Sequence, residues 1–145
     1  MLKKIGATAA VIALGLSTLS GCSAGKLSTE ETCTWLLDKG RELSLAEKTE
    51  GALQDVITGD DENFKTAMEE VSAYLQEAAD KTEDEKLAEA LQVSIDQNSQ
   101  MIEIMSDEDL TLAEKTSKLQ GAGSATDSGK MAYVNTACPN LSELG

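Results

Sequence analysis

The side chains that could do chemistry in this chain are carboxylates and thiols, because its 145 residues include 26 Asp and Glu and three Cys but no His. Histidine is the commonest general base and a frequent metal ligand, so its absence removes most familiar hydrolytic and metal-dependent sites. The chain also lacks a GxSxG elbow, a Walker loop and a GxGxxG motif. We predict no catalytic residue, no cofactor and no enzyme; an enzyme would require clustered carboxylates with perturbed pKa values in a cleft.

Two acidic segments are dense enough in oxygen atoms to be considered as calcium sites, Asp60 to Asn63 and Asp80 to Glu85. Neither has the central glycine and terminal bidentate glutamate of an EF-hand loop. Both precede apolar runs with helical spacing, and carboxylates are stabilised at helix N-termini by the helix dipole. We therefore predict helix capping at both segments and no metal site.

The first 22 residues form a three-part pattern. Lys3 and Lys4 precede the uncharged segment Ile5–Leu19, which ends in Leu19-Ser20-Gly21-Cys22. This pattern resembles the signal peptide and lipobox of bacterial lipoprotein precursors. The resemblance implies that residues 1–21 are a signal peptide and that the Cys22 thiol receives a diacylglyceryl group. The alternatives are an ordinary secretory signal or a transmembrane helix, although fifteen residues make only about 22 Å of helix against a hydrocarbon core of ~30 Å.

The resemblance covers residues 1–22 only, and residues 23–145 resemble no family. It implies an anchor at the extracytoplasmic face of the cell membrane, because two acyl chains hold a protein there stably. Residues 22–27 would then be the lipidated cysteine and a short tether. In a Gram-negative host, Ser23 after the lipidated cysteine resembles the pattern sorted to the outer membrane. The host group stays open.

The mature chain would be strongly acidic. Removing residues 1–21 takes away two of the 12 basic residues and none of the 26 acidic ones, which leaves ten against 26 and a net charge of −16. Nucleic-acid binding needs a basic footprint and is not expected. A cationic or protein partner suits this charge, and simple solubility is the alternative explanation.

Cys33 and Cys138 remain once Cys22 is assigned to lipid. Two cysteines in an oxidising compartment most simply pair with each other. The spacing excludes a CxxC redox pair, and a catalytic thiol would lack a histidine base. The predicted disulfide closes a loop of about 106 residues.

Strong helix formers dominate the mature chain, and its only proline is Pro139. Helix starts are expected at the capping sequences Ser28–Glu31, Ser44–Glu47 (a restart or a bend), Asp60–Asp61, Thr82–Glu85 and Ser106–Asp109. Apolar stripes follow them: Cys33, Leu36, Leu37, Gly40 and Leu43; Leu45, Ala52, Leu53, Val56 and Ile57; Phe64, Ala67, Met68, Val71, Leu75 and Ala78; Leu87, Leu91, Ile95, Ile102 and Met105; Leu110, Ala113 and Leu119. The Gly- and Ser-rich segment 121–129 is predicted to be a flexible loop before a last helix of about ten residues.

These patterns predict an all-α protein, a small antiparallel bundle of about four to six helices stapled by one disulfide. The bundle domain would span residues 28–140, with a loose tail over 141–145. Trp35, the only tryptophan, is expected either to pack near the disulfide or to be the contact with a partner. The sequence thus favours a non-enzymatic, lipid-anchored binding or accessory protein, monomeric, of unknown partner. The alternative is a carrier that holds a small ligand or lipid between its helices.

Overall fold

A computed structural model describes residues 25–58, 61–121 and 125–144. Residues 1–24, which contain the predicted signal peptide and lipobox, lie outside this range, as do Gly59, Asp60 and Gly145. Over the described residues the elements are α1 (Thr29–Glu42), α2 (Leu45–Thr58), α3 (Asp61–Lys81), α4 (Glu85–Met105), α5 (Leu112–Gly121), α6 (Ala125–Ala137) and a 3-10 helix (Pro139–Leu144). The predicted all-α class is confirmed. None of the described helices combines the length and apolar character that crossing a bilayer requires.

The centre of the bundle is the hairpin of α3 and α4, two 21-residue helices joined by a turn of three residues. So short a connection makes the two helices antiparallel neighbours. The other helices pack around this pair: α2 on α3, α6 and α5 on α4, and α1 against α2, α3 and α6. The hairpin therefore contacts each of the other described α-helices, while the 3-10 helix packs on α1 and α6.

The buried side chains form two clusters. The first, here called the stapled core, is Leu36, Leu45, Tyr74, Ala78, Ala79, Leu87, Leu91 and Cys138. The second, the distal core, is Ala52, Phe64, Ala67, Met68 and Met105. Most of the predicted stripe positions are buried or half-buried, but Leu53 is 50% exposed. Apolar material is thus divided between two ends of the hairpin.

The predicted disulfide between Cys33 and Cys138 is present, with the two Cα atoms 5.2 Å apart. Cys33 lies on α1, and Cys138 follows the last residue of α6. The bond therefore joins the first helix of the described chain to the end of the last one. Cys138 is only 2% exposed.

The predicted cap at Ser28 is confirmed: its hydroxyl accepts from the Glu31 amide, and the Glu31 carboxylate accepts from the Ser28 amide. The restart at Ser44 also occurs, but Ser44 has φ +52°, the left-handed region, instead of the extended conformation of an N-cap. The predicted box at Thr82 is wrong. The N-cap of α4 is Asp84, and the Thr82 hydroxyl accepts from the Asp84 amide inside the turn.

The prediction that α5 starts at Ser106 is also wrong. The helix begins at Leu112, after a capping box in which the Thr111 amide donates to Glu114 and the Glu114 amide donates to Thr111. A capping box needs a glutamate three residues after the N-cap, as Glu114 is after Thr111. Ser106 is followed by an aspartate, Asp109, at that position.

The predicted loop over residues 121–129 is shorter than expected, because α6 already begins at Ala125. Residues 122–124 lie outside the described range. At the other end, residues 141–144 of the predicted loose tail belong to the 3-10 helix, and Leu141 packs against the stapled core.

The chain enters the bundle at Leu27, which is clamped to the turn between α3 and α4. Its amide donates to the Lys81 carbonyl at 2.6 Å, and its carbonyl accepts from the Glu83 amide at 2.8 Å. This pair of bonds forms the isolated bridge between Leu27 and Thr82. The segment before α1 is therefore fixed to the same end of the bundle as the α3–α4 turn.

Asp84 links three helices at this end. One carboxylate oxygen accepts from the hydroxyls of Thr29 on α1 and Tyr133 on α6, at 2.9 and 2.8 Å. The other accepts from the amides of Lys86 and Leu87 in the first turn of α4. Desolvation raises the pKa of Asp84, but the four hydrogen bonds together outweigh it and leave this pKa below its ordinary value.

We expect Asp84→Asn to lower the free energy of unfolding by about 1 kcal/mol near neutral pH, since the charge-assisted bonds to Thr29 and Tyr133 are lost while the cap is retained. A carboxylate with a depressed folded-state pKa stabilises the protein above its unfolded pKa of about 3.9, and that contribution disappears as the pH falls through the folded value. Urea unfolding at several pH values from 7 to 2.5 measures the difference between the parent and the variant. It should be largest above pH ~4 and shrink below it.

Glu103→Gln, which removes one exposed carboxylate from the same helix, is the matched control for the change in net charge. A difference between the parent and Asp84→Asn that stayed constant over the whole pH range would contradict this assignment.

Candidate functional site

A groove runs along the outer face of α1 and is the candidate site. It has a volume of about 470 Å³, is open to solvent and is mostly apolar at its surface. Its lining residues are Leu27, Glu30, Glu31, Thr34, Trp35, Asp38, Lys39 and Glu42. Within α1 these positions recur every three or four residues, as 31, 35, 38 and 42 do, so they lie on one face of the helix. We call this feature the Trp35 groove.

Trp35 is held firmly at the wall of this groove. Its ring stacks on that of Tyr74, with centroids 5.7 Å apart and an interplanar angle of 15°. Tyr74 is in turn fixed, because its buried hydroxyl donates to the Leu36 carbonyl at 2.6 Å. Burial raises the pKa of the Tyr74 hydroxyl, which therefore stays protonated as a donor. The stapled core thus presents a rigid, half-buried indole to the groove.

A cation already lies beside this indole. The Lys81 ammonium is 5.0 Å from the centroid of the Trp35 ring, within the range of a cation–π contact. Lys81 also forms an ion pair with Glu77 at 2.9 Å. The cation–π position on the Trp35 ring is therefore occupied by Lys81.

The rim of the groove is acidic. It carries four carboxylates and one ammonium, that of Lys39, which pairs with Glu42 at 3.0 Å. The Glu31 carboxylate is occupied by the helix cap, where hydrogen bonds from the Ser28 amide and hydroxyl lower its pKa. Glu30 and Asp38 are exposed and form no ion pair within the described residues. They leave a surplus of negative charge along the rim.

A second groove lies over the disulfide and adjoins the first, since Glu30 and Thr34 line both. It has a volume of about 580 Å³ and lies between α1 and the 3-10 helix, with Cys33, Leu37 and Cys138 among its lining residues. A third, of about 320 Å³, lies between α2 and α3. Neither contains an aromatic side chain. Although the groove over the disulfide is larger, only the Trp35 groove combines an aromatic wall with an acidic rim.

The structure therefore separates the residues that the sequence singled out. Cys33 and Cys138 form the staple, while Trp35 lines the adjoining groove on α1. The acidic rim was not predicted, although the spacing of Glu31, Trp35, Asp38 and Glu42 places them on one helical face and would have indicated it. Over the described residues, no three Cys, Asp or Glu side chains converge as metal ligands would.

Comparison with known proteins finds no family model that matches this chain, no similar curated protein and no matching solved structure. The fold class is that of a disulfide-stapled, all-α bundle. Functional inference therefore depends on the chemistry of the Trp35 groove and of the N-terminal segment.

Proposed function

We propose that this protein is a non-enzymatic, lipid-anchored binding or accessory protein of the bacterial cell envelope, which acts on a cationic protein partner. The observation that carries the proposal is the Trp35 groove, an apolar groove with an indole wall and an acidic rim on a rigid helix. Tryptophan is enriched among the residues that dominate binding energy at protein interfaces. Rim charges of one sign attract a partner of the opposite sign and set the rate of its association.

The charge of the whole domain supports the same class of partner. A net charge of −16 from Cys22 onward repels anionic lipid headgroups and nucleic acids, and attracts basic proteins over a distance of about one Debye length. The long-range electrostatic field of the domain would bring the partner near, and the groove would supply the local contacts. Binding should therefore weaken as the ionic strength rises.

The location is supported by the lipobox pattern and by the way the chain enters the bundle. Only four residues lie between Cys22 and Leu27, and the five steps from one to the other span about 17 Å in a fully extended chain. Since Leu27 is bonded to the α3–α4 turn, the tether has no further slack. A diacylglyceryl group on Cys22 would keep this end of the bundle close to the headgroups.

The anchor can be tested with Cys22→Ser. We expect the parent to be recovered in the membrane fraction, with an intact mass that begins at Cys22 and includes the added diacylglyceryl group. The variant has no thiol to acylate, so its mass should carry no lipid and the peptidase that requires the lipid should leave residues 1–21 in place. Fractionation with intact mass spectrometry measures both properties.

Ser17→Ala is the matched control, because it changes one hydroxyl residue in the apolar segment and leaves the lipobox intact. If the parent and Cys22→Ser were found in the same fraction with the same unlipidated processing, the anchor would be disproved.

A further inference from the structure

We propose that the Trp35 groove binds an extended, basic segment of a protein that lies close to the membrane surface. This inference rests on the proposed function and deepens it, because it names the chemistry of the partner and its height above the bilayer. The occupant is a run of chain with two arginine or lysine side chains, and Trp35 is the contact for one of them.

The dimensions of the groove favour an extended chain. Its lining residues run from Leu27 to Glu42, and the rise from Glu30 to Glu42 along α1 is about 18 Å. An extended chain of five or six residues covers that length. The groove is open and is lined by one face of α1 together with Leu27, so a linear segment laid along α1 would contact its whole length.

The charges select a basic occupant. Glu30 and Asp38, the rim carboxylates that take part neither in the helix cap nor in an ion pair within the described residues, are eight residues apart, which places them about 12 Å from each other along the helix. In an extended segment, side chains four residues apart point the same way and are separated by about 13 Å. Two basic residues at positions i and i+4 would therefore reach both carboxylates at once.

The aromatic wall adds an apolar contact for the stem of a basic side chain. Tyr74 stacks on the Trp35 ring and the Lys81 ammonium lies over it at 5.0 Å from the centroid, so the ring faces are already covered. The remaining surface of the half-buried indole can contact the methylene groups of an arginine or lysine, whose charged head then pairs with a rim carboxylate.

The tether limits where the partner segment lies. Leu27 is no more than about 17 Å from Cys22, and the far end of the groove is about 20 Å further along α1. A partner bound there must present its basic segment within roughly 40 Å of the headgroups. That range suits the juxtamembrane segment of a membrane protein or a second surface-bound protein.

The single tryptophan makes the groove directly observable, since all indole fluorescence comes from Trp35. The probe is the peptide acetyl-Gly-Arg-Ser-Gly-Ser-Arg-Gly-amide, titrated at low ionic strength into protein purified in a non-ionic detergent. We expect a saturable change in Trp35 emission. The same peptide with glutamate at both arginine positions should give none, and one with adjacent arginines should bind at least threefold more weakly.

Glu30→Gln/Asp38→Asn should weaken binding of the probe by about five- to tenfold, since two charge contacts are removed. Glu103→Gln/Glu108→Gln removes two exposed carboxylates elsewhere and has the same net charge, so its affinity should stay within twofold of the parent.

Trp35→Leu, followed by calorimetry, should weaken binding about threefold or more, while Trp35→Phe retains a ring and should recover part of the loss. Thermal unfolding of each variant checks that it is folded.

Equal weakening by the groove and control pairs would show non-specific charge attraction and would overturn the proposal. The proposal would also be overturned if spermidine or phosphocholine changed Trp35 emission with the same affinity as the arginine peptide and with the same response to the variants. The occupant would then be a small cation. The titration can be done on protein from the membrane fraction or the soluble fraction. If the protein carries no lipid but still binds the peptide, the proposed location is wrong and the peptide site stands. If it carries the lipid but does not bind the peptide, the peptide site is wrong and the location stands.

Discussion

Replacing both Cys33 and Cys138 by alanine is expected to lower the free energy of unfolding by about 3 to 5 kcal/mol. The disulfide joins residues 105 apart in sequence, and a cross-link over a loop of that size removes much conformational freedom from the unfolded chain. Total stabilities of small domains are 5–15 kcal/mol, so this loss is a large share. Urea unfolding followed by circular dichroism measures it, with intact mass confirming that the parent has no free thiol at these positions.

The matched control is chemical. Treating the parent with a reductant should shift its unfolding midpoint toward that of the double variant and leave the variant itself unchanged. Cys138 is 2% exposed, but Cys33 is half-buried and both line the groove over the disulfide, so the control is run with the reductant present throughout the urea titration. A double variant that unfolds within about 1 kcal/mol of the parent would contradict a stapling role.

The sequence predicted the helical class and the disulfide because both depend on signals that are local or few in number. Helix formers at periods of 3.6 residues predict helices wherever they occur. With Cys22 set aside, two cysteines allow only one pairing. The structure confirms both.

The helix starts were harder to predict, since several polar residues compete for each cap. Thr82 and Asp84 both precede α4, and the spacing of residues 82–85 favoured the threonine. Asp84 is the cap because its carboxylate also accepts hydroxyl donors from α1 and α6. Those donors come from residues 55 and 49 positions away, which no local pattern contains.

Lys115 illustrates the same limit. It lies on the short helix α5, yet it is largely buried, with its ammonium bonded to the Met105 carbonyl and 3.4 Å from Asp61. Lys115 bonds to the last residue of α4 and pairs with the first residue of α3, and these two contacts hold α5 in place. From the sequence alone it is an ordinary surface residue of an amphipathic helix.

The Trp35 groove was only partly predictable. Trp35 itself was a candidate because it is unique in the chain. The structure stacks its ring on Tyr74 beside the groove, and its role as the contact with a partner stays a prediction. The wall opposite Trp35 required knowledge of tertiary structure, since Leu27 reaches the groove only through its bonds to the α3–α4 turn. Tyr74 was missed for a similar reason: its buried hydroxyl is compensated by a carbonyl 38 residues away.

The division into two cores predicts that stability and binding can be separated by mutation. Phe64 is 1% exposed in the distal core, and the groove is backed by the stapled core. We expect Phe64→Ala to lower the free energy of unfolding by about 3 to 5 kcal/mol, through lost burial and the cavity that remains. The affinity for the arginine peptide should stay within twofold of the parent, provided that the variant is folded under the assay conditions.

Leu36→Ala is the matched comparison, since Leu36 is also fully buried but belongs to the stapled core and follows Trp35 in the chain. It should cost about 2 to 5 kcal/mol of stability and should also weaken peptide binding, because the Leu36 side chain belongs to the same buried cluster as Tyr74, against which Trp35 packs. Urea unfolding gives the free energy of unfolding of each variant, and titration followed by Trp35 emission gives the affinity of each variant for the peptide. If Phe64→Ala weakened the peptide as much as Leu36→Ala, the two cores would be one energetic unit and the groove would depend on the whole bundle.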